Sequence, residues 1–246
     1  MKVYIYKPDK SGFQDDWLFA ADMGFKQLGA KIIYFDDINS IPYAPDNIVV
    51  AYVEGTRDYF DLHKIKYPKP LNIPEELKKF RYRLGKNMTF GEAKILPNEK
   101  IFIKPVSKVK QFSSGIIKVS SLNSLIDISN EELVYIGEVV EMQSEYRCFV
   151  NKGEIVGIKH YQGDFSIFPN FDHILMMIEE YKSAPIAYSL DVALQTHKSY
   201  NEGIVTSVIE CNDFWSIGNY GLDPLIYAKM LRDRWFELTK YRNDIP

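Results

Sequence analysis

A chain of 246 residues with 46% hydrophobic and 26% charged side chains can bury a large core and divide into one to three compact parts, which excludes an intrinsically disordered protein. A formal net charge of −3 supplies no overall positive field, so composition does not point to a nucleic-acid partner, although local basic grooves remain compatible with it. Cys148 and Cys211 sit in apolar strand-like surroundings and read as buried thiols; with no signal-peptide block and no apolar run of membrane length, a cytoplasmic location is expected.

From the N-terminus, Lys2 to Tyr6 alternates like a strand, and a Lys-Pro-Asp-Lys-Ser-Gly loop leads into a run of helical period. Trp17, Leu18, Ala21, Phe25 and Leu28 fall on one side of that helix, Asp15 or Asp16 can cap its start, and Gly29 suits its end. Lys31 to Phe35 is again strand-like, which makes a β-α-β unit with parallel strands, and Asn47 to Val53 is expected to extend the same sheet. The order is that of an α/β domain, but no Gly-x-Gly-x-x-Gly follows the first strand and no Walker sequence occurs, so a Rossmann reading fails. Lys64 to Pro74 is rich in Pro and Lys and reads as a connection between domains. Pro74 and two glutamates then open a predicted helix with Leu77, Phe80 and Leu84 on one face and Gly85 as its stop; Arg81, Arg83 and Lys86 form a basic cluster that reads as solvated surface unless another feature asks for cations.

Lys104 is that feature. It lies within the apolar strand Ile101 to Val106, where a lysine is costly to desolvate without an anionic partner. Pro105 ends ordinary pairing, and Ser107 to Gly115, with Lys108, Lys110, Ser113 and Ser114, reads either as a flap over phosphates or as a hairpin loop with solvent-facing lysines. Val134 to Met142 is an apolar segment interrupted by Glu138 and Glu141. Ser144 to Val150 alternates so that Glu145 and Arg147 share a face, and a turn at Asn151 to Gly153 leads to a strand from Glu154 to Tyr161 carrying Lys159. Cross-strand ion pairs are the ordinary explanation for such charges, but their density favours a polar cleft. His160 beside Lys159 reads as a cross-strand neighbour, and His63, His173 and His197 lack metal-ligand spacing. Asp172 to Tyr181 is a predicted helix with Ile174, Met177, Ile178 and Tyr181 inward, followed by a strand containing Asp191. Val208 and Ile209 begin a buried strand whose extension places Glu210 and Asn212 on one face, a donor pair suited to Mg²⁺ if Asp191 joins from a neighbouring strand; taken alone, an acid and an Asn at a strand end are also ordinary turn chemistry. Trp215, Asn219 and Tyr220 follow in a loop, and Asp223 to Thr239 is a predicted helix with Leu225, Ala228, Leu231, Trp235 and Leu238 on one stripe.

In their order and spacing, Phe-Ile-Lys-Pro, Lys-Gln-Phe-Ser-Ser-Gly, Glu-Val-Val-Glu, Ser-Glu-Tyr-Arg-x-Phe-Val, the Asp-Val strand and Val-Ile-Glu-Cys-Asn resemble the ATP-grasp family, in particular the small R2K branch of phages and bacteria. The resemblance runs from about Pro74 to Gly221 and implies an α/β (α+β) ATP-grasp fold: an N-terminal α/β domain over 1–73, a small subdomain with the phosphate loop over 74–137, and a C-terminal subdomain with the metal site and terminal helix over 138–246. It implies that antiparallel sheets enclose ATP. Lys104 would contact the α-phosphate or adenine side, Lys110 and Gly115 would belong to the loop that closes over the phosphates, Glu138, Val139, Val140 and Glu141 would meet the adenine, and Glu145 the ribose. Asp191, Glu210 and Asn212 would hold Mg²⁺, Arg147 and Lys159 would stabilise the transferred phosphoryl group, and the last helix would brace the ATP-binding part. Many family ligases carry an arginine two residues before the first metal acid, where this chain has Ser189. The implied activity is a carboxylate-amine ligase acting through an acyl phosphate on a small molecule, amino acid or peptide, with release of ADP and phosphate. An ATP-binding module acting through a protein partner and an ATP-grasp phosphotransferase are the alternatives.

Overall fold

The computed structural model describes residues 1–8, 12–106, 112, 114–196 and 203–240. In chain order its elements are β1 Lys2–Tyr6, α1 Asp16–Gln27, β2 Lys31–Phe35, β3 Asn47–Val50, α2 Val53–Leu62, β4 Gly85–Thr89, α3 Phe90–Ala93, β5 Lys100–Pro105, β6 Gly115–Lys118, β7 Leu133–Gly137, β8 Met142–Asn151, β9 Glu154–Gly163, α4 Phe171–Glu180, β10 Ala187–Thr196, β11 Ile204–Asp213 and α5 Pro224–Lys240. The chain divides into two compact units, one of residues 1–80, 144–194 and 206 onward, the other of residues 81–143 and 195–205.

In the first unit, β1 pairs in parallel with both β2 and β3, giving the order β2-β1-β3. The strand expected over Asn47 to Val53 ends at Val50, and Val53 opens α2. That helix escaped the sequence reading because Thr56 takes a fully buried position that the apolar period leaves blank, while Leu62 is exposed. A second sheet, in the order β11-β10-β8-β9, shares the same core: Phe149 and Phe214 pack in one cluster with Val3, Ile5, Phe25 and Phe60. β8 and β9 form the expected hairpin. Lys152 and Gly153 both have positive φ, as a two-residue turn between right-twisted strands requires.

The last helix, expected to brace the ATP-binding part, packs on α1 and is also tied to the second sheet, Arg234 donating to Asp213 of β11 and Asn151 of β8 donating to Asp233. Gly24 in α1 lies so close to the first turn of α5 that an added Cβ would stand 1.8 Å from the Pro224 carbonyl oxygen and 2.8 Å from Ala228 Cβ. Asp223 Oδ1 accepts the Leu225 and Ile226 amides at 2.9 and 3.1 Å and so caps α5. Tyr227, Ala228, Leu231 and Trp235 then line the core. The α-helix expected from Pro74 is a 3₁₀ helix, Glu75–Arg81. With three residues per turn, Leu77 and Phe80 eclipse on one buried face, but the chain leaves the helix at Tyr82 (φ 48°). Leu84 is 75% exposed and Gly85 opens a strand.

The second unit is an antiparallel sheet in the order β4-β7-β5-β6. Met88, Ile101, Ile103, Val134 and Ile136 bury one face of it with Phe90, Val119 and Leu122. The apolar segment expected over Val134 to Met142 divides: β7 stops at Gly137, β8 begins at Met142, and 138–141 belong to neither strand.

Candidate active site

Each strand of the β11-β10-β8-β9 sheet contributes to one polar row. Arg147 on β8 reaches Asp191 on β10 with both arms of its guanidinium: Nε donates to Oδ1 at 2.8 Å and Nη2 to Oδ2 at 2.6 Å. The two side chains are 9% and 5% exposed, so this is a buried bidentate pair. Asn212 on β11 donates from Nδ2 to Asp191 Oδ2 at 3.3 Å. Glu210, two residues earlier on the same strand, is close enough to act electrostatically on Asp191. On the far side, Lys159 of β9 is the direct cross-strand partner of Arg147, and the two cations therefore share a face of the sheet. Two like charges in that position call for the acids beside them. Ser189, two residues before Asp191, is fully buried, so the guanidinium that faces this acid comes from the neighbouring strand.

Two tyrosines complete the row. The β8–β9 register slips between Glu145 and Tyr146: Glu145 pairs with Gln162 and Tyr146 with His160, which leaves Tyr161 as an extra residue on β9. Such a bulge re-aims a side chain, and the Tyr161 hydroxyl donates to Glu145 Oε2 at 2.7 Å. Tyr220, in the loop after β11, takes a left-handed backbone conformation (φ 47°) and lays its ring 4.1 Å from the Arg147 guanidinium carbon; the Tyr161 ring lies at 6.0 Å. The sequence places Tyr220 only in a loop and gives Tyr161 no role. A one-residue slip leaves no mark on alternation, so Tyr161 was not legible in advance. The remaining groups behave as structure: His160 is an exposed cross-strand neighbour of Tyr146, their rings 5.1 Å apart, and Trp215 packs in the core.

Electrostatics follow from burial. Desolvation pushes the Asp191 carboxyl above its ordinary range; the Arg147 hydrogen bonds and charge pull it down, and Glu210 and Glu145 push it up again. Desolvation opposes the charge of Arg147, but the bonds to Asp191 outweigh it and hold the guanidinium protonated. Burial, then the charge of Asp191 and the bond to Glu145, push the Tyr161 phenol up, so it serves as a hydrogen-bond donor.

The second unit presents a separate basic and aromatic face. Lys104 of β5 is half-buried opposite Tyr135 of β7, with Phe102 two residues before it on the same face. The Phe102 and Tyr135 rings meet edge to face at 6.4 Å, Arg83 lies 4.9 Å over Phe102, and Arg81 5.2 Å over Tyr135. Of the basic cluster, Arg81 and Arg83 therefore lie on the face that carries Lys104, with Arg83 buried, whereas Lys86 pairs with Ile136 on the other face and is exposed. In the segment between strands, Glu138 and Leu84 exchange two hydrogen bonds: the Glu138 amide donates to the Leu84 carbonyl at 2.9 Å, and the Leu84 amide donates to Glu138 Oε2 at 2.7 Å. One carboxylate oxygen of Glu138 is thus committed to backbone. Val139 and Glu141 are exposed, and Val140 is half-buried. Gly115 opens β6, whereas Lys110 and His197 lie outside the described residues.

Among the described residues no group of three His, Cys, Asp or Glu side chains converges as a metal cluster. What the row offers a hard divalent ion is mixed, two carboxylates and an amide on adjacent strands, and that oxygen donor set fits one. No described helix is long and apolar enough to cross a membrane.

The fold is that of ATP-grasp proteins. D-alanine–D-alanine ligase from Bacillus anthracis superposes with a TM-score of 0.58 at 11% identity, over 98% of this chain and 99% of the ligase. A RimK-domain ATP-grasp protein from Sphaerobacter thermophilus gives 0.56 at 14%, over 95% and 98%. The ATP-grasp ligase PsnB, in complex with a minimal precursor, gives 0.55 at 11%, over 94% and 99%. No curated protein matches the chain in sequence. Residues 80–230, well over half the chain, match the model of the ATP-grasp domain of R2K clade family 2, and the chain belongs to that family.

Proposed function

We propose that the protein is an ATP- and Mg²⁺-dependent carboxylate-amine ligase acting on an amino acid or peptide. The observation that carries this reading is the polar row, in which four adjacent strands bring Glu210 and Asn212, Asp191, Arg147 and Lys159 onto one face. In this reading Asp191, Glu210 and Asn212 hold the ion. When bound, it neutralises triphosphate charge and orients the γ-phosphoryl group. Arg147 and Lys159 would stabilise charge on that group as a substrate carboxylate attacks phosphorus and ADP departs. The resulting acyl phosphate would then accept an amine with loss of phosphate, and no protein nucleophile is required. Glu145, held by Tyr161, would accept from ribose hydroxyls. Lys104 and Lys110 would meet phosphate oxygens, Gly115 would let backbone approach them, and 138–141 would meet the adenine through backbone groups and Val139 and Val140, with Glu141 rather than the committed oxygen of Glu138 as the carboxylate on offer. A peptide or amino-acid substrate is supported by the fold shared with D-alanine–D-alanine ligase and PsnB, both named as ligases.

The test is nucleotide binding and product formation with the protein and its Glu210→Ala form, given ATP, Mg²⁺ and a mixture of amino acids and peptides. ADP release with a condensation product seen by mass spectrometry, lost in Glu210→Ala, is the expected result. A phosphorylated product with no amide would make the protein a phosphotransferase; full activity in the variant would remove Glu210 from the metal site.

A further inference from the structure

A cavity of about 490 Å³ opens at the carboxyl ends of β1, β2 and β3, away from the polar row in sequence and built from other elements. It has the size of a small-molecule pocket. Its position is physically favoured: the chain runs from the central β1 out to β2 and then back across to β3, and in open parallel sheets the loops diverge and leave a crevice where strand order reverses. Three aromatic side chains form its walls. Tyr6 meets Phe35 edge to face at 5.6 Å and Tyr52 at 5.7 Å, so the rings are locked against one another and their faces and edges are fixed in place. Tyr52 is held in turn by a hydrogen bond from its hydroxyl to Asp15 and by Trp17, whose ring lies 5.5 Å away.

The charged groups lining the cavity are all of one sign. Asp36 and Asp37 follow β2 directly and Glu54 lies in the first turn of α2; among the described residues no lining residue is basic. Asp37 is pre-positioned, since its Oδ1 accepts both the backbone amide and the side-chain amide of Asn39 at 2.9 Å. The N-terminus of α2 brings about half a positive charge to the same place, which Glu54 answers, and the two aspartates stay in excess. Aromatic walls together with uncompensated carboxylates select a cation with an apolar body: the rings attract it through their quadrupoles and the acids through charge.

We propose that this cavity binds an organic cation, a primary ammonium or guanidinium group carried on an apolar or aromatic body of amino-acid to dipeptide size. The site is inferred from its own walls and stands whether or not the ATP chemistry proposed above is correct.

The experiment is equilibrium binding without nucleotide, by calorimetry or ligand-observed NMR, of phenethylamine against its N-acetyl derivative and against adenosine. The expected result is a dissociation constant for phenethylamine on the order of 1 mM or tighter, with acetylation weakening it about fivefold or more and adenosine not competing. The double variant Asp36→Asn/Glu54→Gln changes only exposed side chains and is expected to weaken phenethylamine by about the same factor while ATP binding is unchanged. Equal affinity for the amine and its acetyl derivative, undiminished binding in the double variant, or no binding of the amine by a protein that binds ATP would each overturn the proposal. So would adenosine displacing the amine, which would make the acids acceptors for ribose hydroxyls.

Discussion

Arg147→Met removes the guanidinium and keeps an unbranched side chain in its place. Asp191 then loses the donors at 2.8 and 2.6 Å that engage both its oxygens, in a site where its side chain is 5% exposed. Removing one partner of a buried ion pair costs about 3–5 kcal/mol, because the remaining charge stays buried without compensation. The sign of the pH dependence follows. Burial already raises the Asp191 carboxyl above its ordinary range, and the variant loses the Arg147 contribution that lowered it, so the folded-state pKa rises further. A carboxyl that binds its proton more tightly in the folded state costs nothing extra below its unfolded pKa; the penalty grows as pH rises toward the folded pKa and is complete above it. Urea denaturation at about pH 5 and about pH 8 should therefore show a larger loss at the higher pH. Adding Asp191→Asn to Arg147→Met removes the stranded charge and should recover most of the loss, a coupling readable in a double-mutant cycle. A single variant within about 0.5 kcal/mol of the parent at both pH values, or a double variant no better than the single, would refute the reasoning.

Gly24→Ala should lower stability by about 1–3 kcal/mol or more, read as a fall in melting temperature, because the new methyl meets backbone of α5 rather than a yielding side chain. Arg234 pairs with Asp213 at 2.7 and 2.5 Å and with Glu237 at 2.6 Å while 7% exposed, so Arg234→Met should cost about 3–5 kcal/mol in denaturant unfolding. Tyr161→Phe, which deletes the hydroxyl on Glu145, should cost about 1.5–3 kcal/mol by the same measurement. Cys148 is fully buried and its thiol is pushed well up by desolvation; a thiol reagent at neutral pH should label it only at the rate of unfolding, and rapid labelling of the native protein would contradict the burial.

The α/β opening, the β8–β9 hairpin and the last helix were legible because each rests on local chemistry: alternation, a turn able to take positive φ, and an apolar stripe of helical period. The ATP-grasp assignment rested on ordered short motifs, and the family match agrees with it. Misreadings arose where a core position is filled by a residue that does not look apolar, as Thr56 is in α2, or where the helical period is three rather than 3.6, as after Pro74. In the candidate site the residue types were legible, but their pairing was not. That Arg147 faces Asp191 with both nitrogens depends on β10 lying beside β8, a fact of strand order that no local pattern carries. The same holds for Tyr161, whose direction is set by an extra residue in the register.

The contact between Gly24 and the first turn of α5 joins two helices that lie far apart in the sequence. During synthesis α1 emerges well before α5, so the surface it presents to that helix has no cover until 224–240 have been made. The N-terminal sheet cannot finish its core by itself, so a chain cut before Asp223 should be held by chaperones rather than accumulate as a truncated native form.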